Sequence, residues 1–332
     1  MTRAGTCGLC VILLVVAATA RSEAYLKLGV SVDGRTIGLR WSARPIRYFI
    51  TDRGVPGVSS TQLASAVARA FEAWERARAS VESEFVGFTS AEPFDDDGIV
   101  TIGFADRPDL DRVLGSTGFV VDIFTGEIVE ADIFLNSAFP WSVAAEGADD
   151  RFDVEAIALH ELGHLLGLGH SMVGETEQTA GRRRVIAAGA AMFPIAFSTG
   201  VIEGRTLRPD DVAGISDVYP DADVAARTGS INGRVVRAGD GVYGAHVVVF
   251  NTRTGALVAG FTLSGDGAFD IAGLEPGPYL LRVEPLDDAA PESFFDDLSP
   301  PDTDFDVTYH RRLVVVSAGE GAGPAEIAVQ PQ

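Results

Sequence analysis

The chain has 332 residues, 46% hydrophobic and 22% charged; at roughly 100 to 200 residues per domain this predicts two domains with sizeable cores and excludes collagenous and disordered classes. Its 26 Lys and Arg against 47 Asp and Glu give a net charge of -21. Such a balance opposes phosphate backbones and anionic lipid and argues against nucleic acid as a partner.

The N-terminus reads as an export signal: Arg3 supplies positive charge, residues 10–20 (CVILLVVAATA) form an apolar run, and small residues follow. Eleven apolar residues fall short of the roughly 20 that span a bilayer. Cleavage fits after Ala20 or after Ala24, with Ala24 preferred. Residues 1–24 are then a signal peptide and the product is secreted, with the periplasm or the cell surface as alternative destinations. No later segment reads as a membrane span. Both cysteines, Cys7 and Cys10, lie in this segment, so the mature chain has no disulfide and depends on its cores.

Residues 25–40 (YLKLGVSVDGRTIGLR) alternate around Asp33-Gly34, which predicts a hairpin with a type I′ turn, and residues 41–50 read as the next strand. After Ser59-Ser60, either of which can cap a helix, Leu63, Val67, Phe71 and Trp74 recur at helical spacing. Strands are predicted at 85–88, 99–104, 119–123 and 128–135, the last two joined by a turn at Thr125-Gly126. Asp153 caps a second helix that runs into a histidine-rich stretch, and residues 209–219 form a third. In that third helix Pro209 lies near the first turn, with Asp210 and Asp211 at the positive end of the dipole. Residues 221–228 (DADVAART) read as a linker. Beyond it, short β-rich runs at 231–236, 245–250, 257–263 and 279–283 are separated by Gly and Asp turns, the texture of a β-sandwich. Residues 285–306 read as a long loop.

The chemistry concentrates in residues 160–170, HELGHLLGLGH. His160 and His164 are four apart on a helix, which puts both imidazoles on one face, close enough to share a metal ion. Gly167 can adopt positive φ and end the helix, so that His170 returns to the same ion from another direction. Three imidazoles leave a fourth zinc position open for water, which the metal acidifies while it polarises a carbonyl. Glu161, next to the first ligand, can take the proton of that water and pass it to a departing amine. The competing account is a buried helix with incidental histidines. Against it, three of the five histidines fall within eleven residues at zinc spacing.

HExxHxxGxxH followed by Ser171 resembles the metzincin clan and, within it, the matrixins. Ala191-Met192-Phe193-Pro194 resembles the Met-turn beneath the zinc, and residues 207–215 (LRPDDVAGI) resemble the matrixin C-terminal helix; together the match spans about residues 41–220. The resemblance implies an α+β metzincin domain over 25–220, with a twisted mixed sheet and three helices. It implies one catalytic zinc on His160, His164 and His170, Glu161 as general base, and endopeptidase activity on protein or peptide substrates. It also implies that an extended peptide pairs with a sheet edge, for which residues 116–121 are the candidate, with Ser116 and Gly118 in contact. A pocket beside Pro194, bounded by Phe193, Ile195 and Phe197, would then select an apolar side chain after the scissile bond. Residues 229–332 resemble the carboxypeptidase regulatory-like domain through Gly233-Arg234-Val235, Gly244-Ala245-His246-Val247, Asp266-Gly267-Ala268-Phe269 and GLEPGPY at 273–279. That implies a small β-sandwich with a stabilising or targeting role. A noncatalytic adhesion or binding protein that keeps the metzincin fold is the alternative, and the intact Glu161 argues against it.

The departures from the matrixin pattern carry further expectations. Residues 25–220 hold no histidine beyond the three, which excludes a second histidine-based zinc site, and no cysteine that could cap the metal. Twenty-one residues separate His170 from Met192 and include Arg182-Arg183-Arg184, read as a solvated surface run with self-cleavage as the alternative. Asp95-Asp96-Asp97 and Asp149-Asp150 are oxygen-rich candidates for the calcium that matrixins frequently bind, although neither has the spacing of a defined calcium loop. Asp33 is the candidate for a carboxylate placed on the zinc. The alternation around it favours the hairpin turn and an enzyme active without removal of residues 25–40. His246 and His310 read as structural.

Overall fold

The computed structural model describes residues 27–32, 35–77, 79–179, 182–196, 198–221, 223–286 and 300–332. The export segment, Asp33-Gly34, Phe197 and most of the 285–306 loop lie outside them.

β1 (Gly29–Val32) and β2 (Arg35–Gly38) pair antiparallel, from Gly29 opposite Gly38 to Val32 opposite Arg35, as the two arms of a hairpin. Its base is tied down by main-chain bonds: Leu28 N–H donates to Gly167 O (2.9 Å), Leu39 N–H to Leu28 O (2.8 Å) and Arg40 N–H to Gly126 O (3.0 Å). Leu28, Val30 and Leu39 join the core. The strand predicted at 41–50 begins only at β3 (Ile46–Thr51), since Pro45 has no N–H to give to a ladder. Trp41 instead anchors the chain, its N–H donating to the Tyr219 hydroxyl (3.0 Å) and its indole to Leu165 O (2.8 Å).

α1 (Ser60–Arg76) starts in a reciprocal cap: Gln62 N–H donates to Ser59 Oγ (3.2 Å) and Ser59 N–H to Gln62 Oε1 (2.9 Å). It buries Leu63, Val67, Phe71 and Trp74, the stripe visible in the sequence. β4 (Ser83–Thr89), β5 (Val100–Ala105), β6 (Gly115–Asp122) and β7 (Glu127–Asn136) complete a five-stranded sheet of order β4-β3-β5-β7-β6. Only the pairing of β6 with β7 is antiparallel. β5 is buried along nearly all of its length, as suits an inner parallel strand. β6 begins four residues before the predicted start, because residues 115–118 (GSTG) join the ladder through their backbone without apolar alternation.

A two-residue bridge of β8 (Trp141–Ser142) with β9 (Phe152–Asp153) leads into α2 (Val154–Leu165). Asp153 Oδ1 accepts Ala156 N–H at 2.8 Å, and Arg205 grips both carboxylate oxygens at 2.9 and 2.6 Å, so the start of this helix is fixed by a cap and a fork at once. α1 and α2 pack against each other, and the buried Trp74 indole donates to Leu159 O at 2.9 Å.

The segment predicted as a solvated run is a hairpin, β10 (Gly174–Thr179) with β11 (Arg182–Ala188). Glu177 stands opposite Arg184, 3.3 Å away, so opposite charges support a pairing that neither arm shows alone. α3 (Pro209–Val218) follows, then a short α4 (Val224–Arg227) inside the predicted linker.

The second half is strand-rich, in two sheets. One holds β12 (Gly229–Arg237) between β13 (Asp240–Gly241) and β16 (Ala268–Leu274), with β20 (Gly321–Ala328) parallel to β12. The other runs β15 (Leu257–Phe261), β14 (His246–Asn251), β17 (Gly277–Glu284), β18 (Thr308–Tyr309), with β19 (Val314–Val316) also on β17. Ile231, Val235, Val249, Phe269, Ile271 and Leu281 meet between them. A matrixin-type mixed sheet with helices followed by a sandwich is the fold class read from the sequence. No helix among the described residues is long and apolar enough to cross a membrane.

Trp74 fills the seam between α1 and α2 with no exposed surface. Trp74→Ala is expected to lower the stability of the first domain by about 3 to 5 kcal/mol, seen as a shift of its urea transition in near-UV circular dichroism.

Candidate metal centre

The last turn of α2 builds the site. Gly167, at φ +94°, lets its own N–H donate to His164 O (2.6 Å) and Leu168 N–H to Gly163 O (3.0 Å), the paired bonds of a Schellman stop. The stop aims Leu168 O back at the helix, where it accepts His164 Nδ1–H at 2.8 Å. His160 Nδ1–H donates likewise to Ala191 O at 2.8 Å. With both Nδ1 atoms protonated, Nε2 carries the lone pair in each ring.

The three histidines each offer a ring nitrogen, and these atoms lie within 4.8 Å of one another. His164 Nε2 and His170 Nε2 are 3.2 Å apart. Two nitrogens bound tetrahedrally at about 2.0 to 2.1 Å would be separated by roughly 3.3 Å, so the donor set fits zinc. Burial lowers the pKa of His160, and burial together with its two imidazole neighbours holds His164 well below the ordinary range. Neutral rings are the form a cation needs.

Glu161 is 5% exposed, its Oε2 2.7 Å from the Thr117 hydroxyl on β6. Burial pushes this carboxyl up to about 7 and the Thr117 bond opposes the rise. Thr117 has no signature in the chain itself, because β6 reaches α2 only through the sheet.

Met192 is buried with its sulfur against Gly163, between His160 and His164 in the chain; a Cβ there would collide with it and come within 2.9 Å of Trp74. Asp211, buried in the first turn of α3, accepts Met192 N–H (3.0 Å), Ala191 N–H (2.9 Å) and Arg208 N–H (2.7 Å). Burial raises its pKa against these three bonds. Asp210 and Asp211, expected only at the positive end of the helix dipole, are thus also tied to the chain around the site, Asp211 to Ala191 and Met192 and Asp210 to Ser171.

Ser116 and Gly118 lie on β6, one of the two edge strands of the sheet. Pro194 is half-buried and Ile195 is 44% exposed, but Phe193 turns away into a cluster with Met172, Phe261, Leu263 and Leu286 of both domains. Phe193 therefore does not bound the pocket expected beside Pro194, and Phe197 lies outside the described residues. Asp95 and Asp97 accept N–H groups of Glu92 and Ile99 in their own loop. Among the described residues, neither they nor Asp149-Asp150 gather three ligand groups as the histidines do. His246 is buried with Nδ1 2.9 Å from Glu284 Oε1, and His310 Nδ1 donates to Arg312 O.

Residues 40–220 match the family model of the matrixins, and residues 230–289 that of the carboxypeptidase regulatory-like domain. Among characterised proteins, the chain is 32% identical over 140 residues to Matrix metalloproteinase-16 of Rattus norvegicus, covering 40% of this chain and 22% of that protein. It is 29% identical over 181 residues to Matrix metalloproteinase-20 of Homo sapiens (54% and 32%). Against Metalloendoproteinase 2-MMP of Arabidopsis thaliana it is 32% identical over 138 residues (37% and 33%). The matched segments thus span between about a fifth and a third of these relatives.

If the three imidazoles share one ion, His164→Ala should lose it, read as metal per chain by elemental analysis after gel filtration in zinc. Asp211→Ala, which frees the carbonyl that orients His160, should weaken zinc binding by roughly 10- to 100-fold in chelator competition.

Proposed function

This chain belongs to the matrixin family, and on that premise we propose that it is a secreted zinc-dependent endopeptidase. The observation that carries the proposal is the convergence of three imidazole nitrogens within 4.8 Å, beside the buried Glu161 carboxylate. His160, His164 and His170 would hold the metal, which supplies Lewis acidity at the one position they leave open. Glu161 takes the proton of the attacking water and later delivers it to the departing amine; the Thr117 hydroxyl keeps its carboxylate turned to that task. A partly raised pKa suits a group that must both accept and return a proton.

The substrate is an extended protein segment laid along the main chain of β6, where an edge strand offers hydrogen-bonding groups that a peptide can complete. Its side chain after the scissile bond enters beside Pro194, with exposed Ile195 at the rim favouring an apolar residue. Secretion is supported by the apolar run at 10–20 behind Arg3. Leu28 bonded to Gly167 O, with Leu28 and Val30 in the core, supports a hairpin that belongs to the mature domain, so activity does not await removal of residues 25–40. A glutamate held in place beside the three rings serves no purpose in a binding protein, which disfavours the noncatalytic alternative.

Incubation with a denatured protein mixture should give cleavage that a zinc chelator abolishes, with apolar residues dominating after the cut. Mainly charged residues there, on mapping by mass spectrometry, would refute the pocket. Glu161→Gln should keep its zinc and lose roughly two to four orders of magnitude in turnover.

A further inference from the structure

A sandwich sheet usually buries one face and gives the other to water, so residues alternate between apolar and polar along each strand. β14 does not follow this rule. Val247 and Val249 enter the sandwich core, yet Val248 between them is 3% exposed, packed with Ala259 against Val173 and Ala190 of the first domain. Beside it, Phe261 and Leu263 cover Met172 and Phe193. From His246 to Val249 both faces of the strand are interior. What covers the outer face is the pair of segments that follow His170 and flank Met192.

A polar link runs through the same contact. β15 is the edge of its sheet, and just past its end Thr262 N–H turns inward to Ala245 O (3.1 Å). Ala259, an odd number of residues away, turns its N–H outward. That donor meets Asp210 Oδ1 at 2.8 Å. The other oxygen of Asp210 accepts the Ser171 hydroxyl at 2.5 Å. Ser171 directly follows His170, and its N–H donates to Met192 O at 2.8 Å. Asp210 is 3% exposed, so these partners replace water for its carboxylate.

We propose that the β-sandwich is part of the frame of the metal centre: Ala259 N–H, acting through Asp210 and Ser171, is a positioning group for His170, and the outer face of β14 and β15 seats Phe193 so that residues 191–195 keep their place beneath the site. The proposal rests on reading the three histidines as metal ligands. The second domain is then a working component of the peptidase, and loosening its contact loosens both the third ligand and the wall of the substrate pocket.

The test uses the full chain. Ala259→Pro costs the sheet no ladder bond, since this N–H points away from it, and replaces the donor to Asp210 with a ring that crowds the carboxylate. The expected result is roughly tenfold faster zinc release to a chelator, the size of a lost orienting contact. Amides of residues 189–195 in the metal-free protein should also exchange several-fold faster, while the sandwich core stays protected. Asp210→Ala should behave in the same way. Asp210→Asn, which still accepts from Ala259 and can donate to Ser171 Oγ, should stay near the parent. A folded Ala259→Pro with parental zinc release and exchange overturns the proposal. Should that variant fail to fold, equal behaviour of Asp210→Asn and Asp210→Ala overturns it instead. A parent that binds zinc but cleaves nothing refutes the peptidase reading and leaves the zinc comparison intact. One that binds no zinc refutes the ligand assignment and the proposal with it.

Discussion

An imidazole can present a lone pair at one nitrogen only while the other keeps its proton and has an acceptor for it. Two of the three rings here meet that requirement with main-chain carbonyls, Ala191 O for His160 and Leu168 O for His164. Much of the first domain can be understood as the means of placing those two oxygens. Leu168 is placed by the helix stop at Gly167, whose own carbonyl is held from outside by Leu28 of the N-terminal hairpin. Ala191 is placed by Asp211, which sits in the first turn of another helix. The start of α2 at Val154, thirteen residues ahead of Gly167, is pinned by Asp153 and Arg205. Fixed at both ends, the helix has little freedom to rotate its histidines out of register.

Adjacent carboxylates at a helix start divide the labour between domains. Asp211 faces inward and collects three N–H groups of the first domain. Asp210 faces the sandwich and collects one group from each side of the boundary. Burial pushes both pKa values up, Asp210 to about 7, and hydrogen bonds oppose the rise in each. The positive end of the α3 dipole makes this crowding of negative charge tolerable. A single helical turn therefore serves the metal site and the domain contact together.

Much of this was legible in the chain. The heptad-like stripe of Leu63, Val67, Phe71 and Trp74 gave α1, and the spacing of His160, His164 and His170 with Gly167 between them located the site, because both patterns are local and periodic. Thr117 was not legible, since nothing in GSTG marks a residue that will touch a helix 44 positions later. The β10–β11 hairpin was missed for the same kind of reason: Glu177 and Arg184 look like surface charges until they stand opposite each other. Phe193 misled because an apolar residue near a metal motif suggests a pocket wall, whereas its partners, Phe261 and Leu263, come from a different domain. The covering of the outward face of β14 was not legible either, since Val248 carries no sign of which neighbour will pack on it.

The contact between Gly163 and Met192 has a bearing on how such a chain can change over generations. No side chain at 163 fits while a methionine sulfur occupies that space. The two positions form one steric unit split between a helix and a turn. A lineage that enlarges the first must also move or shorten the second, so changes at the two are expected to come paired.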